Sequence, residues 1–354
     1  MNFGIPAETW ELEHRVGLTP AGVLSLTRRG HNVYVQHDAG KGAHFRDRNY
    51  QDVGAQIVYS AEEVFGRADV VLKVSRLIEQ EYELLQPGQT LLSYLHLAVA
   101  PPALSETFSK REITAIAYEL IQTPDGQLPV LNASSQVAGR LAPIIAGQLL
   151  ETTQGGRGIL LDGMPGVPPA AIAILGAGVL GRNAALAFYG AGAQVTILDS
   201  NLEKLEILER ESGGRITTLI SNSYNLTRVI KFADVLIGAI LVPGERTPIL
   251  ITQDLISQMR PRAVFIDFSI DQGGCSETSR PTSHSSPTYI LQGVIHYAVP
   301  NIPARVARTA SYALTNSALN YLKIIAEGGV DGALAASSDL RKGLVFSQGE
   351  RQNR

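Results

Sequence analysis

The stretch Ala171-Ile-Ala-Ile-Leu-Gly-Ala-Gly-Val-Leu-Gly181 decides how the fold of this chain is interpreted. Its apolar first half predicts a buried strand, and Gly176, Gly178 and Gly181 predict a tight turn that opens a helix. A second predicted strand, Gln194–Asp199, ends in an aspartate 18 residues after the third glycine. A strand, a glycine turn, a helix and a strand that ends in an acidic residue form the pattern of a dinucleotide-binding βαβ unit.

The residue types in this unit suit a pyrophosphate and a ribose. Glycines allow the backbone to approach the pyrophosphate closely, and the N-terminus of the following helix stabilises its negative charge. Asp199 would accept hydrogen bonds from the adenine ribose hydroxyls and repel a 2′-phosphate, so we expect NAD rather than NADP. The alternative is a glycine-rich turn followed by an acidic residue by chance, which the flanking strands disfavour.

The alternation of short apolar strands with helical segments continues in both directions from this unit. We expect an α/β protein with two doubly wound, Rossmann-like domains, mostly parallel sheets and a long hinge helix, Ser135–Thr153. Residues 1–134 and 302–354 would form the substrate or catalytic domain, and residues 135–301 the NAD-binding domain. The last dozen residues are expected to be frayed. The other predicted strands are Asn2–Ile5, Asn32–Gln36, Asp69–Val74, Thr90–Leu95, Ile113–Tyr118, Val235–Ile240 and Ala263–Phe268, and the other predicted helices include Ala61–Arg67, Arg182–Tyr189 and Ser311–Ala326.

Composition excludes several classes of protein. A chain of 354 residues, 45% apolar and 18% charged, is long enough for two domains and too apolar to be disordered. A net charge of −3 without runs of like charge argues against nucleic acid or an anionic membrane as partner. The single cysteine, Cys275, excludes an internal disulfide, and the histidines lack metal-ligand spacing, so no metal is expected. No signal-peptide pattern or membrane-spanning stretch is visible, and a soluble, cytoplasmic protein is expected.

Three polar residues follow predicted strands, and ligands of open α/β sheets bind at the carboxyl ends of strands. His96 follows one strand and has the chemistry of a general acid or base near neutral pH. Arg15 lies after the first strand and can bind a carboxylate through two parallel hydrogen bonds. Asp271 lies beyond a strand of the second domain, beside a glycine pair. Each has a structural alternative, namely a structural histidine, an exposed arginine and a turn carboxylate.

These stretches together resemble the alanine dehydrogenase family, which also includes the NAD-binding subunit of proton-translocating transhydrogenase. The resemblance runs in register through essentially the whole chain, and the segment from Ile270 to His284 is more similar to the dehydrogenase than to the transhydrogenase subunit. The matching stretches are Arg15–Val23, Tyr94–His96, Val137–Arg140, Gly176–Gly181, Leu241–Gly244, Ile270–Cys275, Arg280–His284 and Ala313–Asn316.

The resemblance implies an oxidoreductase that catalyses the reversible, NAD-dependent oxidative deamination of L-alanine to pyruvate and ammonia, and implies a homohexamer. By the same resemblance, Arg15 holds the substrate carboxylate, His96 acts as acid and base, and Asp271 assists hydrolysis of the imine. Asn301 would bind beside the substrate and the nicotinamide. Family positions around the dinucleotide are, besides the three glycines, Ser135, Asp199, Lys204, Ser221, Ile240, Leu241 and Arg280.

One position departs from the family pattern. Lys-Val-Lys-Glu-Pro, whose second lysine contacts the substrate, is Lys73-Val-Ser-Arg-Leu77 here, so Ser75 occupies the substrate-binding position. Loss of a charge-assisted contact of about 1.5–3 kcal/mol would cost roughly ten- to a hundredfold in binding or rate. Lys73 and Arg76 are candidates to compensate. The alternatives are a catalytically weakened NAD(H)-binding paralogue, a dehydrogenase for another small amino or 2-oxo acid, and a transhydrogenase-like subunit.

Overall fold

The computed structural model describes residues 1–352, which divide into two compact units, residues 1–134 with 303–352 and residues 135–302. Each unit contains one sheet flanked by helices. The strands of the first unit are β1 Asn2–Ile5, β2 Asn32–Gln36, β3 Gln56–Val58, β4 Val70–Ser75, β5 Thr90–Tyr94, β6 Thr114–Ala117, β14 Leu344–Ser347 and β15 Glu350–Arg351. Those of the second unit are β7 Ala171–Leu175, β8 Gln194–Asp199, β9 Thr217–Ile220, β10 Val235–Gly238, β11 Val264–Asp267, β12 Thr288–Leu291 and β13 Val294–Tyr297.

The helices lie mainly between consecutive strands, as crossovers between parallel strands require. They are α1 Pro20–Thr27, α2 Asp47–Gln51, α3 Ala61–Arg67, α4 Pro102–Lys110, α5 Pro129–Leu150, α6 Val179–Gly190, α7 Leu202–Ser212, α8 Ser223–Phe232, α9 Gln253–Ser257, α10 Ala307–Ala336 and α11 Ser338–Gly343. The long helix α5 links the two units. None of the helices within residues 1–352 is both long and apolar enough to cross a membrane.

Both sheets have the same strand order in their parallel part. The first runs β15-β14-β6-β5-β4-β1-β2-β3 and the second β12-β13-β11-β10-β7-β8-β9. Among the sheet strands within residues 1–352, the antiparallel pairings are those of β14 and β15 in the first sheet and of β12 in the second. The chain reverses its direction of winding between β1 and β4 and between β7 and β10, and open α/β sheets bind ligands at such switch points. The predicted α/β fold class is therefore confirmed.

The central strands are buried on both faces, which explains their continuous apolar sequence. Strands β4, β5, β6, β7 and β10 contain no exposed residue. Around them, the first unit packs its helices into a core that includes Phe3, Leu72 and Leu322, and the second unit into one that includes Leu175 and Phe265. These cores fix the strand ends, which carry the polar residues described below.

Two sequence-based expectations are wrong in detail. Helix α5 begins at Pro129 rather than at Ser135, because a proline in the first turn gives up no helical hydrogen bond. The sequence predicts frayed C-terminal residues, but β14 pairs with β6 and buries Val345 and Phe346. These side chains are buried because β14 pairs with a strand that is distant in sequence, and a local sequence pattern does not reveal such a pairing. The predicted frayed segment also includes residues 353 and 354, which lie outside the described part of the chain.

Candidate functional site

The carboxyl ends of three neighbouring strands in the first sheet, β1, β4 and β5, carry its predicted site residues, and the adjacent strand β6 adds a glutamate that was not predicted. Arg15 lies in the loop after β1, Ser75 is the last residue of β4, His96 follows β5, and Glu119 follows β6. Strands β1 and β4 are paired parallel neighbours at the switch point, so their carboxyl ends lie together. The sheet topology therefore brings these residues to one edge of this unit.

Arg15 and Ser75 meet at a shared buried carboxylate. The Arg15 guanidinium donates through Nε to Glu13 Oε1 at 2.7 Å and through Nη2 to Glu13 Oε2 at 2.6 Å. The Ser75 hydroxyl donates to the same Oε2 at 3.1 Å. Because both side chains of the ion pair are nearly inaccessible to solvent, the guanidinium is held in one orientation. Glu13 thus connects two positions that are 60 residues apart in the chain.

Lys73, one of the two candidates to compensate for Ser75, is committed elsewhere. Its ammonium group is fully buried and pairs with Glu81 at 2.8 Å and with Glu8 at 3.3 Å. The register of β4 against β5 shifts between Leu72 and Ser75, and at this irregularity the Val74 backbone N–H donates to Glu8 at 2.6 Å. The lysine therefore holds the loop after β1 against β4.

Arg76, the other candidate, lies over the indole ring of Trp10, with its guanidinium carbon 4.8 Å from the ring centroid. The Trp10 indole N–H donates to the Arg76 backbone carbonyl at 2.8 Å. This cation–π contact positions Arg76 against the loop that carries Glu13 and Arg15.

Burial and neighbouring charges act in opposite directions on the carboxylates of this cluster. Burial raises the pKa of Glu8, and the charge of Lys73 offsets this only in part. Burial also opposes the charge of Glu13, but the hydrogen-bonded Arg15 guanidinium outweighs it and lowers the pKa of Glu13. Glu8, Glu13 and Glu81 face two buried cations, Arg15 and Lys73. The unequal numbers of buried acidic and basic groups and their burial together explain why the pKa of Glu8 is raised, whereas that of Glu13, beside Arg15, is lowered.

His96 adopts a backbone conformation that few non-glycine residues adopt, with φ at +45°. The carboxylate of buried Glu119 accepts hydrogen bonds from the His96 backbone N–H at 2.7 Å and from that of Leu95 at 3.2 Å. The ring of Tyr94 stacks on the imidazole with centroids 6.1 Å apart. Strained backbone at a polar strand end, held by a buried acceptor, is typical of functional sites.

In the second unit, the predicted glycine turn has the shape that a pyrophosphate needs. A Cβ on Gly176 would lie 2.3 Å from the Ala239 carbonyl oxygen, and one on Gly181 would lie 1.8 Å from that of Gly176. A Cβ on Gly178 would meet no protein atom within 4 Å, so this glycine borders open space. Gly178 is the N-cap of α6 and supplies no side-chain cap. The residues present therefore fit a dinucleotide phosphate at this helix N-terminus.

Asp199 lies at the carboxyl end of β8, next to the glycine turn. Its carboxylate accepts a hydrogen bond from the Ala177 backbone N–H at 2.7 Å and another from that of Asn201 at 2.8 Å. The Ser221 backbone N–H donates to the Asp199 carbonyl at 2.9 Å. These contacts bring Asp199 and Ser221 to the same edge, whereas Lys204 lies exposed in the first turn of α7.

The remaining predicted residues of this unit follow β10, β11 and β13. The Asp271 carboxylate accepts a hydrogen bond from the Asn301 backbone N–H at 3.0 Å, and Asn301 has φ at +59°. The Ile240 backbone N–H donates to Ser269 Oγ at 3.0 Å. Arg280 lies over the ring of Tyr289 at 4.2 Å. Of the others, Leu241 is exposed and Ser135 is half-buried on α5.

Sequence reasoning missed the acidic residues that hold the site residues in place. These are Glu8, Glu13, Glu81 and Glu119 in the first unit and Asp267 in the second. A signal was present for some of them, since Glu119 directly follows the apolar β6 and Asp267 ends β11. Their partners are set by the sheet topology, which a local pattern does not show.

Comparison with known proteins covers nearly the whole chain. Residues 4–138 match the family model described as the alanine dehydrogenase/PNT N-terminal domain, and residues 142–354 match that of its C-terminal domain. Curated alanine dehydrogenases from Mycolicibacterium smegmatis and Mycobacterium tuberculosis are 45% and 46% identical, each over 99% of this chain and 94% of their own. A solved L-alanine dehydrogenase structure has a TM-score of 0.92 and 46% identity, over 99% of this chain and 96% of that one. This chain belongs to the alanine dehydrogenase/PNT family, as its resemblance predicted.

Proposed function

We propose that the protein catalyses the reversible, NAD-dependent oxidative deamination of L-alanine to pyruvate and ammonia. The observation that carries this proposal is the in-register likeness to alanine dehydrogenases over 99% of the chain. It assigns a nicotinamide dinucleotide and a small amino acid as the reactants. The weakened paralogue is not favoured, because Ser75 leaves the surrounding groups hydrogen-bonded and the ion pairs around it complete.

In this reaction the first unit binds the substrate. Arg15 binds the carboxylate of L-alanine or pyruvate with its oriented guanidinium, which Glu13 holds in place. Ser75 contributes a neutral hydroxyl at the substrate-binding position, while Lys73 and Arg76 keep the structural contacts described above. Substrate affinity therefore depends more strongly on Arg15 here than it would in a site with a lysine at position 75 as a second cation.

The proton transfers fall to His96 and Asp271. In deamination, His96 Nδ1 or Nε2 takes a proton as water adds to the imine carbon, and returns it as ammonia departs. The Asp271 carboxylate orients the water that attacks the imine. Glu119 fixes the backbone of His96 by accepting its N–H, and the Asn301 backbone N–H donates to the Asp271 carboxylate, so both residues are positioned before the reaction.

The second unit holds the dinucleotide, for which NAD is proposed. The bound nicotinamide supplies a hydride acceptor for the substrate Cα. The pyrophosphate lies against Gly176, Gly178 and Gly181, and Asp199 accepts hydrogen bonds from the adenine ribose. Further contacts come from Ser135, Lys204, Ser221, Ile240, Leu241 and Arg280, and Asn301 lies beside the nicotinamide.

The proposal includes a homohexamer in the cytoplasm. Exposed Leu160, Met164 and Val167 on the segment before β7 offer apolar surface for association between copies. A single, buried and unpaired cysteine suits a reducing compartment.

The deciding experiment follows NADH oxidation by absorbance with pyruvate and ammonium together and with each alone. Turnover of about 1 s⁻¹ or more that requires both reactants supports the proposal. Activity with another 2-oxo acid, but none with pyruvate, would instead make the protein a dehydrogenase of a different amino acid. NADH binding without turnover on any 2-oxo acid would leave the weakened paralogue, and a large gain in turnover from Ser75→Lys would then identify Ser75 as its cause.

A further inference from the structure

Asp267 ends β11 with a carboxylate that is completely inaccessible to solvent. Its Oδ1 accepts hydrogen bonds from the Ser269 backbone N–H at 2.9 Å and from the Cys275 thiol at 3.4 Å. Its Oδ2 accepts from the Cys275 backbone N–H at 2.9 Å and from the Ser279 hydroxyl at 2.5 Å. One buried carboxylate thus binds both ends of the loop between residues 268 and 279.

Two glycines leave the space that this carboxylate occupies. A Cβ on Gly238, at the end of β10, would lie 3.1 Å from Asp267 Oδ1 and 2.4 Å from the Cys275 sulfur. A Cβ on Gly274 would lie 3.0 Å from Asp267 Oδ2 and 2.8 Å from the Ser279 Cβ. Gly274 also has φ at +84°, a conformation that favours glycine. The Asp267 carboxylate therefore fits closely into a space that side chains at Gly238 and Gly274 would fill.

The loop held in this way carries Asp271, which lies between the two anchored segments. It also carries Ser269, whose hydroxyl accepts the Ile240 backbone N–H after β10 at 3.0 Å. Asp267 therefore anchors the segment that carries Asp271. Because it also binds the Ser269 backbone N–H, it positions the hydroxyl that contacts the backbone at Ile240. A carboxylate with four donors fixes such a loop more tightly than neutral groups, because charge-assisted hydrogen bonds are the stronger ones.

We propose that Asp267 is a positioning residue that sets the place of Asp271 for reaction with substrate, and that it acts through Asp271 rather than by touching the reactants. This inference rests on the proposed function, in which Asp271 orients the attacking water. Misplacement of a reacting group by about 1 Å costs roughly a hundredfold in rate, so a loop anchor of this kind has a large kinetic effect.

A second buried carboxylate in the same unit provides a matched control. Asp234 directly precedes β10, at the opposite edge of the same sheet. Its carboxylate accepts the Ala171 backbone N–H at 2.9 Å and pairs with Arg157 at 3.0 Å and with Arg260 at 3.1 Å. It has similar burial and a similar number of partners but no link to the loop of Asp271. Asp234→Asn therefore reports the cost of losing a buried carboxylate as such.

The test compares kcat for alanine oxidation at saturating NAD in full-length Asp267→Asn, Asp234→Asn, Asp271→Ala and the double variant Asp267→Asn/Asp271→Ala. We expect Asp267→Asn to lower kcat by about ten- to a hundredfold, and Asp234→Asn to lower the melting temperature while kcat stays within about twofold of the wild type. In the Asp271→Ala background, Asp267→Asn is expected to lower kcat no further, because the two residues act as one unit. Ser279→Ala, which keeps the carboxylate and removes one donor, is a milder variant expected to lower kcat about three- to tenfold.

The outcomes separate this inference from the proposed function. If Asp267→Asn multiplies the loss in the Asp271→Ala background, or if both Asp267→Asn and Ser279→Ala keep wild-type kcat, the inference is wrong while the proposed function stands. Wild-type turnover in Asp271→Ala also overturns the inference. A wild-type protein without turnover on any 2-oxo acid overturns the proposed function first. Should Asp267→Asn fail to fold, Ser279→Ala alone and combined with Asp271→Ala carries the same comparison.

Discussion

The two sheets share one strand order, but different chemical groups line the carboxyl ends of their strands. In the second unit the edge at the switch point is mostly backbone, formed by Gly176, Gly178 and Gly181 and the N-terminus of α6. In the first unit the corresponding edge is filled with buried ion pairs, in which Arg15 and Lys73 are each held by carboxylates. One edge suits a phosphate through N–H groups and open space, and the other suits a small charged molecule through an oriented cation.

This difference shows what each edge depends on. The glycine edge depends on the absence of side chains. Its function is therefore sensitive to any side chain added at these glycines and to the loss of the Asp199 carboxylate as a hydrogen-bond acceptor. The ion-pair edge depends on long-range complementarity, since Glu8 and Lys73 are 65 residues apart and a buried charge without its partner is costly. Substitutions are therefore expected to alter stability mainly in the first unit and cofactor choice mainly in the second.

The largest expected effect tests the chemistry of the first edge. His96→Asn removes the imidazole but suits the positive φ, and we expect kcat to fall by about 10²–10⁴-fold. NADH binding, measured by its fluorescence, should persist. His44→Asn is the matched control, because His44 is an exposed histidine of the same unit with φ at +60°, and it should keep full activity. A kcat within tenfold of the wild type in His96→Asn would remove this residue from the mechanism.

A stability measurement compares ion pairs of the two units. Lys73→Met leaves Glu8 and Glu81 buried without their cation, and we expect the free energy of unfolding to fall by about 3–5 kcal/mol. Arg260→Met in the second unit removes a half-exposed partner of Asp234 and should cost no more than about 1 kcal/mol. The only tryptophan, Trp10, lies in the first unit and reports its urea unfolding by fluorescence, while calorimetry covers the Arg260 variant.

Equal losses in the two variants would contradict the contrast between a buried and a half-exposed cation. Glu81→Gln supplies a further control, since it removes one acidic partner of Lys73 but leaves Glu8. It should lower the free energy of unfolding less than Lys73→Met, because no cation is left unpaired.

How far the sequence predicts each edge follows from the same contrast. The glycine turn, Asp199 and the order of strands and helices are visible in the sequence because each depends on neighbours within one βαβ unit. The partners of Arg15 and Lys73 are not visible, because the approach of β1 to β4 brings them together. The pairing of β14 with β6 was missed for the same reason, since it joins Leu344 to Ile116 across most of the chain.

Cofactor choice is the third test, and it concerns the second edge. Asp199→Ser removes the charged acceptor for the adenine ribose, and we expect the KM for NAD to rise about ten- to a hundredfold. The KM for NADP should fall, because the repulsion of its 2′-phosphate is lost. Asp254→Ser, at an exposed aspartate of α9, should change neither constant.

Asp199 also holds the Ala177 N–H, so a disturbed glycine turn would weaken both dinucleotides. Only improved binding of NADP alongside weaker binding of NAD supports the ribose contact. A rise in both KM values would mean that Asp199 serves the turn instead.

The smallest expected effect is a pH response that arises in the second unit. Burial lowers the pKa of His296 below its usual value of 6.5, with nearby Arg280 acting in the same direction and the Val294 carbonyl against it. The ring stacks on Tyr289 and contacts the Thr278 hydroxyl at 2.9 Å. A base with a depressed folded-state pKa binds its proton more readily when unfolded. Its contribution to stability is therefore present above the unfolded pKa and is lost as pH falls toward the folded one.

Urea unfolding of the wild type and of His296→Gln between pH 7.5 and 5 isolates this contribution. The free energy of unfolding should fall more steeply with decreasing pH in the wild type, by at most about 1.4 kcal/mol per pH unit for one proton. Parallel curves for the wild type and His296→Gln would mean that the charged carboxylates of the first unit, such as Glu13 with its lowered pKa, account for the whole acid response. A steeper curve for the wild type would mean that part of the acid-induced loss of stability comes from protonation of His296. That residue lies in the second unit, whose carboxyl edge is formed mainly by backbone rather than by buried ion pairs.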